Sequence, residues 1–200
     1  LMHGWSGRAT NFYLIIDALI RLDFDIYAFD APAHGKSSGL TTNLPEFIVT
    51  LDSLLKHWGP FEIILGHSGG AFASSHVCAN HPEVQKLILI SPFDKAIDIF
   101  NKYFELIGLG DRARKLMLDY FHRKTNNKIS AFSSSISAQS INANCLIIHD
   151  KNDREVELYN SINIEKNLKN GKLIITSGLG HRRILRDDIV IDHIVNFLKS

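Results

Sequence analysis

The pentapeptide Gly66-His67-Ser68-Gly69-Gly70 constrains this chain more than any other stretch, because of what flanks it. The apolar run Phe61 to Leu65 precedes it and the small-residue stretch Ala71 to Ala79 follows. That order reads strand, sharp turn, helix. Glycines on both sides of a serine allow a turn too tight for neighbouring side chains, and such a turn lifts the hydroxyl clear of the sheet. Ser68 is therefore a candidate nucleophile. With Gly and Ser each at about 7% of residues, three fixed positions recur by chance in roughly 5 to 10% of chains this long. The strand-to-helix setting, not the pentapeptide, carries the argument.

Strand and helix signals alternate around this turn. Phe12, Ile15, Ile16, Leu19 and Ile20 follow helical spacing behind Asn11, a candidate cap, and Asp25 to Asp30 alternates as a short strand. Leu44-Pro45-Glu46 opens a second helix with Phe47, Leu51, Leu54 and Leu55 on one face, and Gly59-Pro60 ends it. Leu87 to Ile90, Cys145 to His149 and Leu173 to Thr176 read as further strands. A closing helix spans about 187–199, with Ile191, Ile194, Val195 and Leu198 inward. The alternation predicts an α/β domain on a mostly parallel sheet with flanking helices and right-handed crossovers. Between residues 92 and 144 strand signals are missing, and Ile97, Phe100, Tyr103, Phe104 and Ile107 recur at helical spacing, then Leu116, Tyr120 and Phe121. Helices inserted before the penultimate strand, over about 93–143, are expected, with the serine-rich 130–140 as a short helix or a mobile loop.

Composition narrows the partners. Two hundred residues, 45% hydrophobic and 22% charged, suit a single domain over 1–200 with a real core. The 22 basic and 21 acidic residues are dispersed, so the footprint of a nucleic-acid binder is missing and a small neutral substrate fits better. No apolar run approaches the roughly 18 residues of a membrane span. Cys78 and Cys145 lie in no metal-type spacing, and so few cysteines predict a reducing, cytoplasmic setting. The opening Leu1-Met2-His3-Gly4 enters a loop directly, which predicts a domain lacking the strand that should precede Leu1.

Four motifs then occur in order: His3-Gly4-Trp5-Ser6-Gly7, Asp30-Ala31-Pro32-Ala33-His34-Gly35-Lys36-Ser37, Gly66-His67-Ser68-Gly69-Gly70 and Gly180-His181. Together they resemble the α/β-hydrolase fold family from residue 1 to the end, most of all its small esterase-like or serine aminopeptidase-like members. The resemblance implies an α/β-hydrolase fold with a small helical cap and a triad in the order Ser, acid, His. It places the base at His181, in the loop after the last strand. Ile147-Ile148-His149-Asp150-Lys151-Asn152-Asp153 resembles the family's H-G-x-x-D loop, with Asp150 where that pattern has Gly. Matched spacing makes Asp153 the acid, and Asp150 is the competing carboxylate or a turn residue bonding backbone.

These residue types suit one chemistry. A serine hydroxyl is a weak nucleophile at neutral pH, so an imidazole takes its proton and a carboxylate holds that imidazole in the right tautomer. The developing oxyanion needs backbone donors, one from Gly69 after the nucleophile and, by resemblance, one from Trp5. Asp30 and His34 look structural, and Arg182 and Arg183 solvated or ion-paired. Phe93, Phe100, Phe104 and Phe121 could line an acyl pocket beneath the cap, or be core. The expected activity is hydrolysis of a carboxylic ester or similar acyl bond, a small-molecule substrate, through an acyl-enzyme on Ser68 without metal or cofactor. An aminopeptidase or acyltransferase with the same triad, and a non-catalytic binding module on the same fold, are the alternatives.

Overall fold

The computed structural model describes residues 1–200, the side chain of Lys124 excepted. Strands β1 (Ile63–His67), β2 (Lys86–Ile90), β3 (Asn144–Asp150) and β4 (Gly171–Thr176) form one sheet in the order β1-β2-β3-β4, each neighbouring pair parallel. Successive residues of a strand face opposite sides, so a strand covered on both faces must be apolar throughout. The two middle strands meet that demand. Leu87, Leu89, Cys145 and Ile147 join one buried cluster, and Ile88, Ile90, Leu146 and Ile148 join another on the other face.

Helices α1 (Tyr13–Ile20), α2 (Leu44–Trp58), α3 (Gly69–Cys78), α4 (Ala96–Leu106), α5 (Asp111–Thr125), α6 (Ser134–Ala138), α7 (Tyr159–Asn167), α8 (Gly180–Arg183) and α9 (Asp188–Lys199) complete the chain. Phe47, Leu51 and Leu55 of α2, Val77 of α3 and Ile164 of α7 cover one face of the sheet, and Ile15 and Leu19 of α1 with Val190, Ile194 and Leu198 of α9 cover the other. At about 1.5 to 3 kcal/mol for each buried aliphatic side chain, the α9 stripe alone contributes roughly 5 to 9 kcal/mol before chain entropy is set against it. A third cluster, with Leu44, Phe72, Phe93, Phe121, Ile129 and Val156, lies under the inserted segment α4 to α6.

Several local expectations need correction. Asp25 to Asp30 forms no strand; only Phe29 pairs, in a single parallel bridge to Met2, and Met2 also bridges Gly66 of β1. Asn11 does not cap α1. A 3-10 turn, Ala9–Phe12, leads into that helix, and Asn11 Oδ1 instead accepts from the Arg8 amide at 2.9 Å. The strand before the serine begins at Ile63 and runs through His67, two residues later than the apolar run suggests. The serine-rich stretch holds the short helix α6, capped by Ser133. On α9 the deepest positions are Val190, Ile194 and Leu198, with Ile191 and Val195 only half-buried.

Two glycines let α3 seat against the sheet. A Cβ on Gly66 would stand 2.5 Å from both Gly70 O and Ser74 Oγ, and one on Gly70 would strike Met2 O and stand 2.6 Å from His3 O. The second neighbour set is backbone and cannot swing aside. Gly70→Ala gains about 1 kcal/mol of helix propensity and loses more to overpacking, so urea melts should show a net destabilisation of about 2 kcal/mol or more. A change below about 0.5 kcal/mol would contradict this close approach.

Candidate active site

Ser68 occupies the junction of β1 and α3 with φ 52° and ψ −117°, a region that non-glycine residues enter only at a cost of about 1 to 3 kcal/mol. The surroundings enforce it. Its amide donates to Ile90 O at 2.9 Å, its carbonyl accepts from Phe72 N at 2.9 Å to start α3, and its side chain stays half-buried, within reach of solvent. Gly4 packs directly on it, since a Cβ there would lie 2.8 Å from Ser68 Cβ. Gly69 and Trp5 are neighbours as well: a Cβ on Gly69 would lie 3.6 Å from the Trp5 nitrogen.

The loop carrying Trp5 is braced by two neutral imidazoles. His3 donates from Nδ1 to Gly4 O and accepts at Nε2 from the Ala31 amide, both at 2.8 Å. His34 donates from Nδ1 to Pro32 O and accepts at Nε2 from the Ser6 amide, both at 3.0 Å. Backbone partners of fixed polarity assign both tautomers. Asp30 accepts from the amides of Ala9 (2.7 Å) and Lys36 (2.8 Å), so it and His34 act structurally. Trp5 is 53% exposed, and its ring stacks on Phe47.

Asp153 and His181 meet at the ends of β3 and β4. His181 donates from Nδ1 to Asp153 Oδ2 at 2.7 Å, which leaves Nε2 with its lone pair. Asp153 Oδ1 accepts from the amides of Glu155 (2.8 Å) and Val156 (2.9 Å). Burial pushes this carboxyl up, but the His181 hydrogen bond and charge and the two amides outweigh it, and the net direction is down. Asp150 lies outside this pair: it bonds Asn152 N, Thr176 Oγ1 and Leu179 N. His149 is fully buried, bonded to Ser161 Oγ and Val156 O, with Nε2 3.6 Å from Asp153 Oδ2.

His181 also sits beside the residue preceding Ser68. His67 donates from Nε2 to His181 O at 2.8 Å, and the two rings lie 4.8 Å apart. Burial, the largest cause, pushes the His67 imidazole down to about 3, which keeps it a neutral donor. Among the described residues no hydrogen bond joins Ser68 Oγ to His181 Nε2, a bond that often forms only with substrate in place. On the Nε2 side Glu155 Oε2 stands 3.9 Å away, while its other oxygen pairs with Arg182 Nε at 3.0 Å. Arg183 bonds the carbonyls of Gly178 and Leu179. A cleft of about 400 Å³ opens here, lined by Arg154, Glu155, His181 and Arg183 among others.

The four phenylalanines do not line that cleft. Phe104, Phe93 and Phe121 are buried in the packing under the inserted helices, and only Phe100 is half-buried, set edge-on to both Phe104 and Phe121. Sequence reasoning missed His67 as a donor to the His181 carbonyl and Glu155 beside Nε2. For His67 the signal was its place inside the pentapeptide; Glu155, on an exposed loop, offered none. Among the described residues no three His, Cys, Asp or Glu side chains are placed to hold a metal ion. Nor is any helix long and apolar enough to cross a membrane.

A strand-to-helix serine, a histidine and carboxylate at the ends of later strands, and a parallel sheet define a class of fold, and comparison with known proteins agrees. A family profile described as the alpha/beta hydrolase fold matches residues 1–121, and the chain belongs to that family. No curated protein sequence matches it. Similar solved structures include MGS-M2, an alpha/beta hydrolase enzyme from a Medee basin deep-sea metagenome library, at TM-score 0.76 and 15% identity, covering 100% of this chain and 88% of that one. The Paleococcus ferrophilus monoacylglycerol lipase is similar at TM-score 0.74 and 19% identity, over 98% and 91%. Est1E from Butyrivibrio proteoclasticus, solved with ferulic acid bound, is similar at TM-score 0.72 and 17% identity, over 100% and 88%. At such identities the likeness is one of fold.

Proposed function

We propose that this hydrolase-family chain is a serine hydrolase that cleaves a carboxylic ester or similar acyl bond through an acyl-enzyme on Ser68. The observation that carries the reading is the 2.7 Å bond from His181 Nδ1 to the buried Asp153, which leaves Nε2 free to take a proton. In the proposed reaction the Ser68 hydroxyl adds to the acyl carbon as His181 Nε2 takes its proton, and the imidazolium then gives that proton to the departing alcohol. Water repeats the sequence on the acyl-enzyme and releases the acid. The amide of Gly69 and that of Trp5, whose nitrogen lies beside Gly69, are in this reading the donors to the oxyanion. The resemblance implies no metal or cofactor for this chemistry. An activated p-nitrophenyl ester tests the reading: turnover should begin with a burst approaching one equivalent per chain. Folded protein inert toward a panel of activated esters would overturn it.

The helices α4 to α6 act in this reading as a cap. Phe72, one helical turn from Ser68, stacks on Phe93 with centroids 4.5 Å apart, so the cap's apolar cluster reaches within a turn of the nucleophile. Of the four phenylalanines only Phe100 keeps an exposed edge for an acyl chain. Phe100→Ala should change the ratio of kcat/KM between long and short acyl esters about tenfold, since each methylene is worth about 1 to 3 kcal/mol of discrimination. Phe104→Ala should instead lower stability by about 3 to 5 kcal/mol. An unchanged chain-length preference in Phe100→Ala would assign that ring to the core.

A further inference from the structure

The loop that delivers His181 has alternating backbone handedness: Gly178 at φ 86°, Leu179 at φ −87° and ψ −37°, Gly180 at φ 66°. Such alternation turns successive amides toward one side and forms a concavity suited to an anion. A carboxylate of the chain itself fills it. Asp150 Oδ2 accepts from Leu179 N at 3.0 Å and Thr176 Oγ1 at 2.8 Å, the Gly180 amide faces the same carboxylate, and Oδ1 accepts from Asn152 N at 2.9 Å. The Asp150 side chain is fully buried at the end of β3. Asn152 Oδ1 takes the remaining loop amide, Gly178 N, at 3.0 Å. From the other side His67 holds the His181 carbonyl.

We propose that Asp150 is a positioning residue for the base: its carboxylate, seated in the Gly178-Leu179-Gly180 concavity, sets where the His181 imidazole stands between Asp153 and Ser68. This rests on the reading of Ser68, Asp153 and His181 as a working triad. The physical case is one of competing donors and acceptors. Every contact of the Asp150 oxygens is with a donor, so an acceptor-only, charged group is what the site takes, and charge-assisted bonds of this kind are about twice as strong as neutral ones. Burial pushes the Asp150 carboxyl up and these donors pull it down further, so it is ionised at neutral pH. An asparagine there must turn its NH2 toward at least one donor. Turned toward Leu179 N, the NH2 repels the loop directly; turned toward Asn152 N, it displaces the residue whose Oδ1 holds Gly178 N. Either way the loop shifts, and a misplacement of about 1 Å in a reacting group can cost about a hundredfold in rate. Asp150 stands where the resembled motif carries glycine, so this anchor belongs to this chain's own sequence.

The test is Asp150→Asn in the full chain, with active sites counted by the ester burst so that only competent protein enters the rate. kcat should fall about 10- to 100-fold with KM within about twofold, and the fluorophosphonate modification rate of Ser68 should fall in parallel. A role confined to stability would lower the melting temperature and leave per-site kcat at the parent value, and that result overturns the proposal. Should Asp150→Asn not fold, Thr176→Val removes one donor to the same oxygen; kcat should fall about threefold and recover in Thr176→Ser, and parent-like kcat in Thr176→Val overturns the proposal. Failure of the underlying triad reading shows separately, as activity surviving in Ser68→Ala whatever occupies position 150.

Discussion

Ser68→Ala and His181→Ala should each lower kcat on an activated ester by about a thousandfold or more, with the chain still folded. The expectation follows from how such a unit works. Nucleophile and base act in one step, so losing either loses that step, and the remaining rate comes from binding and from backbone donors at the oxyanion. Because the two residues act together, the double variant should be scarcely slower than either single one. Folding should survive, since Ser68 holds its place through its amide and carbonyl, to Ile90 O and from Phe72 N, and not through its hydroxyl. Alanine at φ 52° is no more strained than serine there. Ester turnover by pure Ser68→Ala protein near the parent rate would remove the serine from the chemistry.

Asp153→Asn should be nearly as damaging, at about a thousand- to ten-thousandfold in kcat, although it changes no volume. Asp153 Oδ1 is committed to the amides of Glu155 and Val156. An asparagine therefore keeps its oxygen there and turns its NH2 toward His181 Nδ1. That nitrogen must then accept, and the ring proton moves to Nε2, the atom that has to receive the serine proton. Asp150→Asn acts only by displacing the loop and should cost less. If Asp150→Asn proved the more damaging of the two in kcat, the orienting carboxylate would belong at position 150.

What the sequence made legible follows from how uniformly each segment is buried. β2 and β3 are apolar on both faces because helices cover both, so their runs read directly as strands. The strand expected at Asp25 to Asp30 fails for the opposite reason: Tyr27 is half exposed and ladder pairing reaches only Phe29, so alternation there reflects little packing. Helix α7 escaped notice because its buried face is largely polar. Asn160 accepts from the Asp94 amide and Ser161 meets His149, which leaves Ile164 as its one aliphatic core position and erases the apolar period. At the site, matched spacing favoured Asp153 over Asp150, but the sequence carried no physical reason for the choice. Asp150 ends β3 and Asp153 follows three residues later, and the backbone path of the turn between them decides which carboxylate meets His181 and which meets the loop amides.

Every step proposed for this site requires Ser68 to be a reactive nucleophile. Incubating the folded chain with a fluorophosphonate and locating the adduct by peptide mass measures that directly. One modification per chain is predicted, on the peptide containing Ser68, absent from Ser68→Ala and slowed in His181→Ala. No adduct on folded protein, or an adduct on another serine that forms equally fast in Ser68→Ala, would contradict it.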